Sequence, residues 1–224
     1  MSVRKYLFGI TLLVSACLIL WGVQGGAGSL SVSSPEDYSD RKMVALTFDD
    51  GPHPVYTERL LDGLKKRNVK ATFFLIGKSA DKYPELVKRM AEEGHLIGNH
   101  TMDHVQLNHK TYEEAIEQIR QSNQIISQIT GQTPQYIRPP FGEWSKELQE
   151  EVDMTAVLWD VDPVDWKVKN SETVVKRILK NARDGDIILL HDVYGTSVDA
   201  ALEIVDQMQA EGYEFVTVDE IILD

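Results

Sequence analysis

Asp49 and Asp50 stand side by side at the end of the apolar run Met43–Phe48, and Gly51-Pro52 then turns the chain. Adjacent carboxylates disfavour each other's ionisation, and a bound cation relieves that conflict. The next residues with ligand chemistry are His100 and His104, in His100-Thr101-Met102-Asp103-His104. On a helix two residues four apart lie about 40° apart around the axis, so both rings would face one ion. One aspartate and two histidines make three ligands with a position left open for water, the pattern of a catalytic rather than a structural zinc site. Asp-His-His suits Zn²⁺ and also accepts Co²⁺, Ni²⁺ or Mn²⁺. Taken singly, the aspartate pair also reads as a helix cap and the histidine pair as a helix-surface pair; their joint placement after strands favours the metal.

Three later groups also follow apolar runs. Arg138-Pro139-Pro140-Phe141-Gly142 is a rigid loop suited to fixing a backbone N–H. Asp162-Pro163-Val164-Asp165-Trp166 comes next, then Leu189-Leu190-His191-Asp192. His191 is the general-acid candidate, because histidine titrates near neutral pH. Arg138 also fits a structural ion pair and Trp166 also fits core packing. Asp192 reads as a solvated turn residue. His53 can approach the site, while His95 and His109 read as ordinary polar positions.

The elements that must position these groups alternate. Strands are expected at Met43–Phe48, Ala71–Ile76, His95–Gly98, Tyr136–Ile137, Thr155–Trp159, Asp186–Leu190 and Tyr213–Thr217, apolar enough to be buried on both faces. Helices are expected at Val55–Arg67, Tyr83–Glu93, Thr111 to about Gln128 behind a capping box, Ser171–Ala182 and Ser197–Ala210. Such alternation predicts a parallel sheet, either open and doubly wound or closed. Its strand ends share one face, where active sites form. The chain is short for eight β/α units, which need ~200 residues or more, and suits a seven-unit barrel.

Arg4 and Lys5 precede the uncharged run Tyr6–Val23, so residues 1–23 read as a signal peptide or membrane anchor and 24–40 as a polar linker. Cleavage after Ala27 fits its small neighbours; Val14-Ser15-Ala16-Cys17 resembles a lipoprotein box, but the following residues are too apolar for one. The sole cysteine is Cys17, so residues 41–224 have no thiol chemistry. A formal charge of −12 argues against nucleic acid as a partner.

Together the five segments resemble the polysaccharide deacetylase family, also called the NodB homology domain or carbohydrate esterase family 4, in the family's order from about Lys42 to the C-terminus. The resemblance implies a distorted, TIM-barrel-like (β/α)7 barrel and a metal-dependent hydrolase of N-acetyl groups. Asp49 would be the base, Asp50, His100 and His104 the metal ligands, and His191 the acid. Arg138 would orient Asp49, and Asp165 would hold Arg138. Pro139, Phe141, Trp166 and Leu189 would contact substrate, Phe141 through its N–H at the oxyanion. Phe141 stands where the family commonly has tyrosine, which puts substrate preference rather than catalysis in question.

The expected substrate is peptidoglycan N-acetylglucosamine; chitin oligomers, acetylxylan and N-acetylmuramic units are alternatives. The protein is expected to be exported, surface-associated and monomeric. A non-catalytic carbohydrate-binding relative is disfavoured because acid, base, arginine and ligands occur together. A zinc peptidase is disfavoured by the lack of His-Glu-x-x-His.

Overall fold

The computed structural model describes residues 41–223; the leader and linker expected at 1–23 and 24–40 lie outside them. The element order is β1 (Lys42–Asp49), α1 (Tyr56–Lys66), β2 (Thr72–Leu75), α2 (Gly77–Lys82), α3 (Pro84–Glu92), β3 (Leu96–Asn99), α4 (Tyr112–Thr130), β4 (Tyr136–Ile137), α5 (Lys146–Glu151), β5 (Thr155–Ala156), α6 (Asp165–Val168), α7 (Ser171–Asn181), β6 (Ile187–His191), α8 (Gly195–Ala210), β7 (Tyr213–Val216) and α9 (Val218–Leu223). The helices that sequence periodicity did not reveal, α2, α5, α6 and α9, have at most six residues each. That is too short to build a periodic stripe.

All strand pairs are parallel, in the order β5-β4-β3-β2-β1-β6, with β7 added on β1. β1 is the hub. Its Lys42–Ala45 half pairs with β7, Thr47–Asp49 with β2, and Ala45–Asp49 with β6. Just beyond β5, Val161 makes a single parallel bridge to Ile188 of β6.

Strand alternation sorts β1 onto two faces. Val44, Leu46 and Phe48 pack into the main core with Leu60, Leu61 and Leu64 of α1 and with Ala201, Ile204 and Val205 of α8. Ala45 packs instead with Phe74, Val157 and Val218. Thr47 and Asp49 share the parity of Ala45 and meet Arg138, which is fully buried with its guanidinium 4.3 Å from the Phe74 ring centroid.

Burial on both faces explains why the strands read as unbroken apolar runs. β5 stops after two residues, short of the expected Thr155–Trp159, because the next two carbonyls serve the guanidinium. Arg138 Nε donates to Val157 O at 3.1 Å and Nη2 to Leu158 O at 2.9 Å. α4 begins as expected: the Thr111 side chain accepts from Glu114 N–H while Glu114 accepts from Thr111 N–H. It ends on Gly131 at φ 74°, where a side chain would be strained.

Candidate active site and metal centre

The parallel register carries the chemistry to one end of the sheet. Asp49 is level with Phe74 on β2 and with His191 on β6, and Asn99, just before His100, is level with Ile137, just before Arg138. Asp49, Asp50, His100, His104, Pro139, Phe141, Trp166, Leu189 and His191 all line one cavity of about 420 Å³. Arg138 and Asp165 lie beneath it, fully buried. Trp159, Asp162 and Tyr194 also line the cavity; Asp162 opens one of the motif groups, whereas Trp159 and Tyr194 were not foreseen. The Leu158-Trp159 dipeptide after β5 carried no motif, and Tyr194 follows the last one. A wider depression of about 710 Å³ beside β4 and β5 is lined by Trp144, Gln149 and Asp153. It contains none of the residues with ligand spacing.

The two aspartates point to different partners. Asp50 Oδ1 lies 3.5 Å from His100 Nε2 and 3.4 Å from His104 Nε2, and the three ligand atoms fall within 4.8 Å of one another. That oxygen is buried and, among the described residues, has no hydrogen-bond partner. A buried carboxylate oxygen left unpaired is costly, and a cation is the partner that this donor set can supply. The residues present therefore fit a divalent metal. Burial raises the Asp50 pKa, but the close approach of His100 and the charges of the neighbouring histidines outweigh it and leave the carboxyl below its usual range. His100 Nδ1 donates to the Arg138 carbonyl at 2.5 Å, which fixes the ring and leaves Nε2 facing Asp50.

The histidine pair is not helical, contrary to expectation. Thr101 and His104 have φ of 64° and 54°, and residues 100–106 form a loop. Asn99 imposes this shape: its side chain donates to Ile119 O and Asn123 Oδ1 on α4 and accepts from Thr101 N–H at 2.6 Å. Gln118 of α4 holds Asp103 from both ends of its amide. The rings still meet, with centroids 4.9 Å apart.

Asp49 belongs to the arginine. Arg138 Nη1 donates to Asp49 Oδ1 at 2.8 Å and to Thr47 Oγ1 at 2.7 Å. Asp165 does not hold Arg138, as the resemblance had implied. It accepts from His191 Nδ1 at 2.8 Å and from the His191 backbone N–H at 2.9 Å. With Arg138 already saturated by one carboxylate, one hydroxyl and two carbonyls, the second carboxylate is free to serve the histidine. Burial lowers the His191 pKa, but the Asp165 hydrogen bond and charge, helped by Asp49 and Asp50, raise it to about 9.

Phe141 sits at φ 62° in a 3-10 turn and is 63 % exposed, its ring edge-on to His104. Among the described residues its backbone N–H has no hydrogen-bond acceptor. Trp166 is 46 % exposed rather than packed in the core.

Three readings of single residues are corrected. Asp192 is fully buried, not solvated, and accepts a hydrogen bond from the Thr57 hydroxyl. Burial pushes its carboxyl up to about 7 against the pull of Thr57. His53 stays out of the cavity: its ring stacks on Tyr56 and Nδ1 accepts from the N–H groups of Val55 and Tyr56. His95 is buried, with Nδ1 accepting from Ala71 N–H, and burial lowers its pKa to about 4.

Among curated proteins, the peptidoglycan-N-acetylmuramic acid deacetylase PdaC of Bacillus subtilis is 45% identical over 81% of this chain and 39% of its own length. The peptidoglycan-N-acetylglucosamine deacetylase PgdA of Listeria monocytogenes is 42% identical over 85% of this chain and 41% of its own. The chain thus spans about two fifths of those relatives. The solved structure of the B. subtilis peptidoglycan deacetylase PdaC superposes with a TM-score of 0.80 at 45% identity, covering 81% of this chain and 90% of that one. The polysaccharide deacetylase profile matches residues 36–157, the segment that supplies Asp49, Asp50, His100 and His104 to the cavity and Arg138 beneath it. A match over more than half the sequence, joined to relatives of this similarity, makes the chain a member of the polysaccharide deacetylase family.

Proposed function

We propose that the protein is a metal-dependent hydrolase that removes N-acetyl groups from N-acetylglucosamine units of peptidoglycan. The observation that carries this reading is the division of the aspartate pair. Asp50 faces two histidines, Asp49 is held by Arg138, and a proton-loaded His191 faces the same cavity. The names of PdaC and PgdA support peptidoglycan as the polymer, and they divide between the two amino sugars.

Asp50, His100 and His104 would hold the metal, which when bound lowers the pKa of water and polarises the amide carbonyl. Asp49 accepts the proton of the attacking water as oxygen bonds to the acetyl carbon. Arg138 keeps that carboxylate aimed, because it is locked by four hydrogen bonds and cannot swing away. The unengaged Phe141 N–H is available to the oxygen that gains charge, and one such donor typically contributes ~3–4 kcal/mol. His191 then gives its proton to the sugar nitrogen as the carbon–nitrogen bond breaks, releasing acetate and a free amine. Asp165 prepares His191 for that step by taking Nδ1, so the transferable proton is on Nε2. Leu189 and Trp166 offer apolar surface for the acetyl group and the sugar face.

We read the sheet as a distorted (β/α)7 barrel; the Val161–Ile188 bridge, which links the two ends of the strand order, supports this. Zn²⁺ is the favoured metal for this donor set. Arg4, Lys5 and the apolar run after them support export to the cell surface, tested by finding the protein in a membrane or extracellular fraction. Among the described residues no helix is long and apolar enough to cross a membrane.

The deciding experiment incubates the purified protein with peptidoglycan, chitin oligomers and acetylxylan, with and without chelator, and measures released acetate. Chelator-sensitive release from peptidoglycan is expected. Acetate from none of the three in the presence of metal would sink the enzymatic reading.

A further inference from the structure

Asp192 has no part in the mechanism above, yet it is fully buried beside the site. Parallel pairing puts Asp49 level with His191, so the residues that follow, Asp50 and Asp192, leave adjacent strands together. The Asp192 carboxylate fills the space over Gly51: a Cβ on Gly51 would stand 2.4 Å from Oδ1 and 2.5 Å from Oδ2. Gly51 does not have a positive φ, and the three atoms nearest to such a Cβ all belong to this carboxylate.

Asp192 also takes the hydrogen of the buried Thr57 hydroxyl, and the same hydroxyl accepts from His53 N–H at 2.7 Å. On its other side the turn is tied by Ile76 N–H to Gly51 O at 3.2 Å. The turn so held begins at Asp50, whose φ of 74° lies in the left-handed region that few non-glycine residues adopt, aspartate among them. Among the described residues Asp192 Oδ1 has no hydrogen-bond partner, so the buried carboxylate is only half satisfied where it stands.

We propose that Asp192 is a positioning residue for Asp50: through Thr57 and by contact with Gly51 it fixes the Asp50–His53 turn, so that Asp50 Oδ1 stays aimed between His100 and His104. The proposal rests on the reading of Asp50 as a metal ligand. It predicts that metal affinity depends on two groups that never touch the metal, and that the identities of residues 51 and 192 are coupled.

The test measures Zn²⁺ affinity of the full-length apo-protein by competition with a chelating dye, alongside the melting temperature of the metal-free form. Asp192→Ala and Thr57→Val are each expected to weaken Zn²⁺ binding by about 10- to 100-fold, the usual range for groups that orient a ligand. Asp192→Asn, which still accepts from Thr57, is expected to recover most of that affinity. Gly51→Ala is expected to weaken binding in the wild-type background and to add little to Asp192→Ala, the non-additivity of groups in contact. Wild-type affinity in Asp192→Ala and Thr57→Val, or a lowered melting temperature with unchanged affinity, overturns the proposal. If Asp192→Ala does not fold, Thr57→Val decides alone. Asp50→Ala is the control: wild-type affinity there sinks the metal-site reading itself, whereas lost affinity there with intact affinity in the other two variants sinks only the positioning role.

Discussion

His191 holds a proton at neutral pH because Asp165 outweighs burial. The folded pKa of about 9 lies above the ordinary value of 6.5, so the acid form persists well past neutrality. Deacetylation is expected to fall as pH rises through about 9. Asp165→Asn removes the largest raising partner and leaves only Asp49 and Asp50 against burial, so the alkaline limb of kcat/KM should move to lower pH. An unmoved limb would show that another group sets it. The stability contributed by this pair should be fully present below pH 6.5 and lost as pH rises through about 9. The two aspartates separate by experiment as well. Asp50→Ala should lose metal and activity together, whereas Asp49→Asn should keep metal, measured by elemental analysis, and lose activity. A metal-free Asp49→Asn protein would merge the two roles. Residue types and their order announced these groups, but not their partners. Nothing near Asp165 says that it serves His191, because the competing claim of Arg138 is settled by Thr47, Asp49 and two carbonyls from other segments.

The His100–His104 loop owes its shape to α4. The four-residue spacing made the pair legible as ligands, yet it also suggested a helix, and the structure has two left-handed residues there instead. A local reading could not see this, since Asn99 is fastened to Ile119 and Asn123 on α4. Asn99→Ala would leave the buried Thr101 N–H without its partner, whereas the Ile119 carbonyl keeps its bond within α4. A buried group so stranded costs about 1–3 kcal/mol, so urea denaturation should show a loss of at least that size. Zn²⁺ binding should weaken in the same variant; unchanged binding would show that the loop holds its shape without α4. The capping box that opens α4 was plain in Thr111–Glu114 because its geometry is fixed within four residues. Short elements without a stripe, such as α6 carrying Asp165 at its first position, were not.

At the scale of the molecule, seven strands were readable as apolar runs and their parallel pairing followed from the helices between them. Their spatial order was not readable, because no local signal says that β1 accepts β2, β6 and β7 together. Metal should report on the whole fold. A ligand bound only by the native state at 100 times its Kd adds about 2.7 kcal/mol, so Zn²⁺ should raise the melting temperature and a chelator should reverse it. No shift in Asp50→Ala is expected, and an equal shift there would place the metal elsewhere. The central position of β1 also sets a timetable. Thr47 reaches across 141 positions to the Ile188 carbonyl, so the first strand has no lasting neighbour on that side until β6 has been made. A chain cut off before then would own both aspartates and both metal histidines yet leave β1 with a naked edge, the kind of surface that chaperones and proteases inspect.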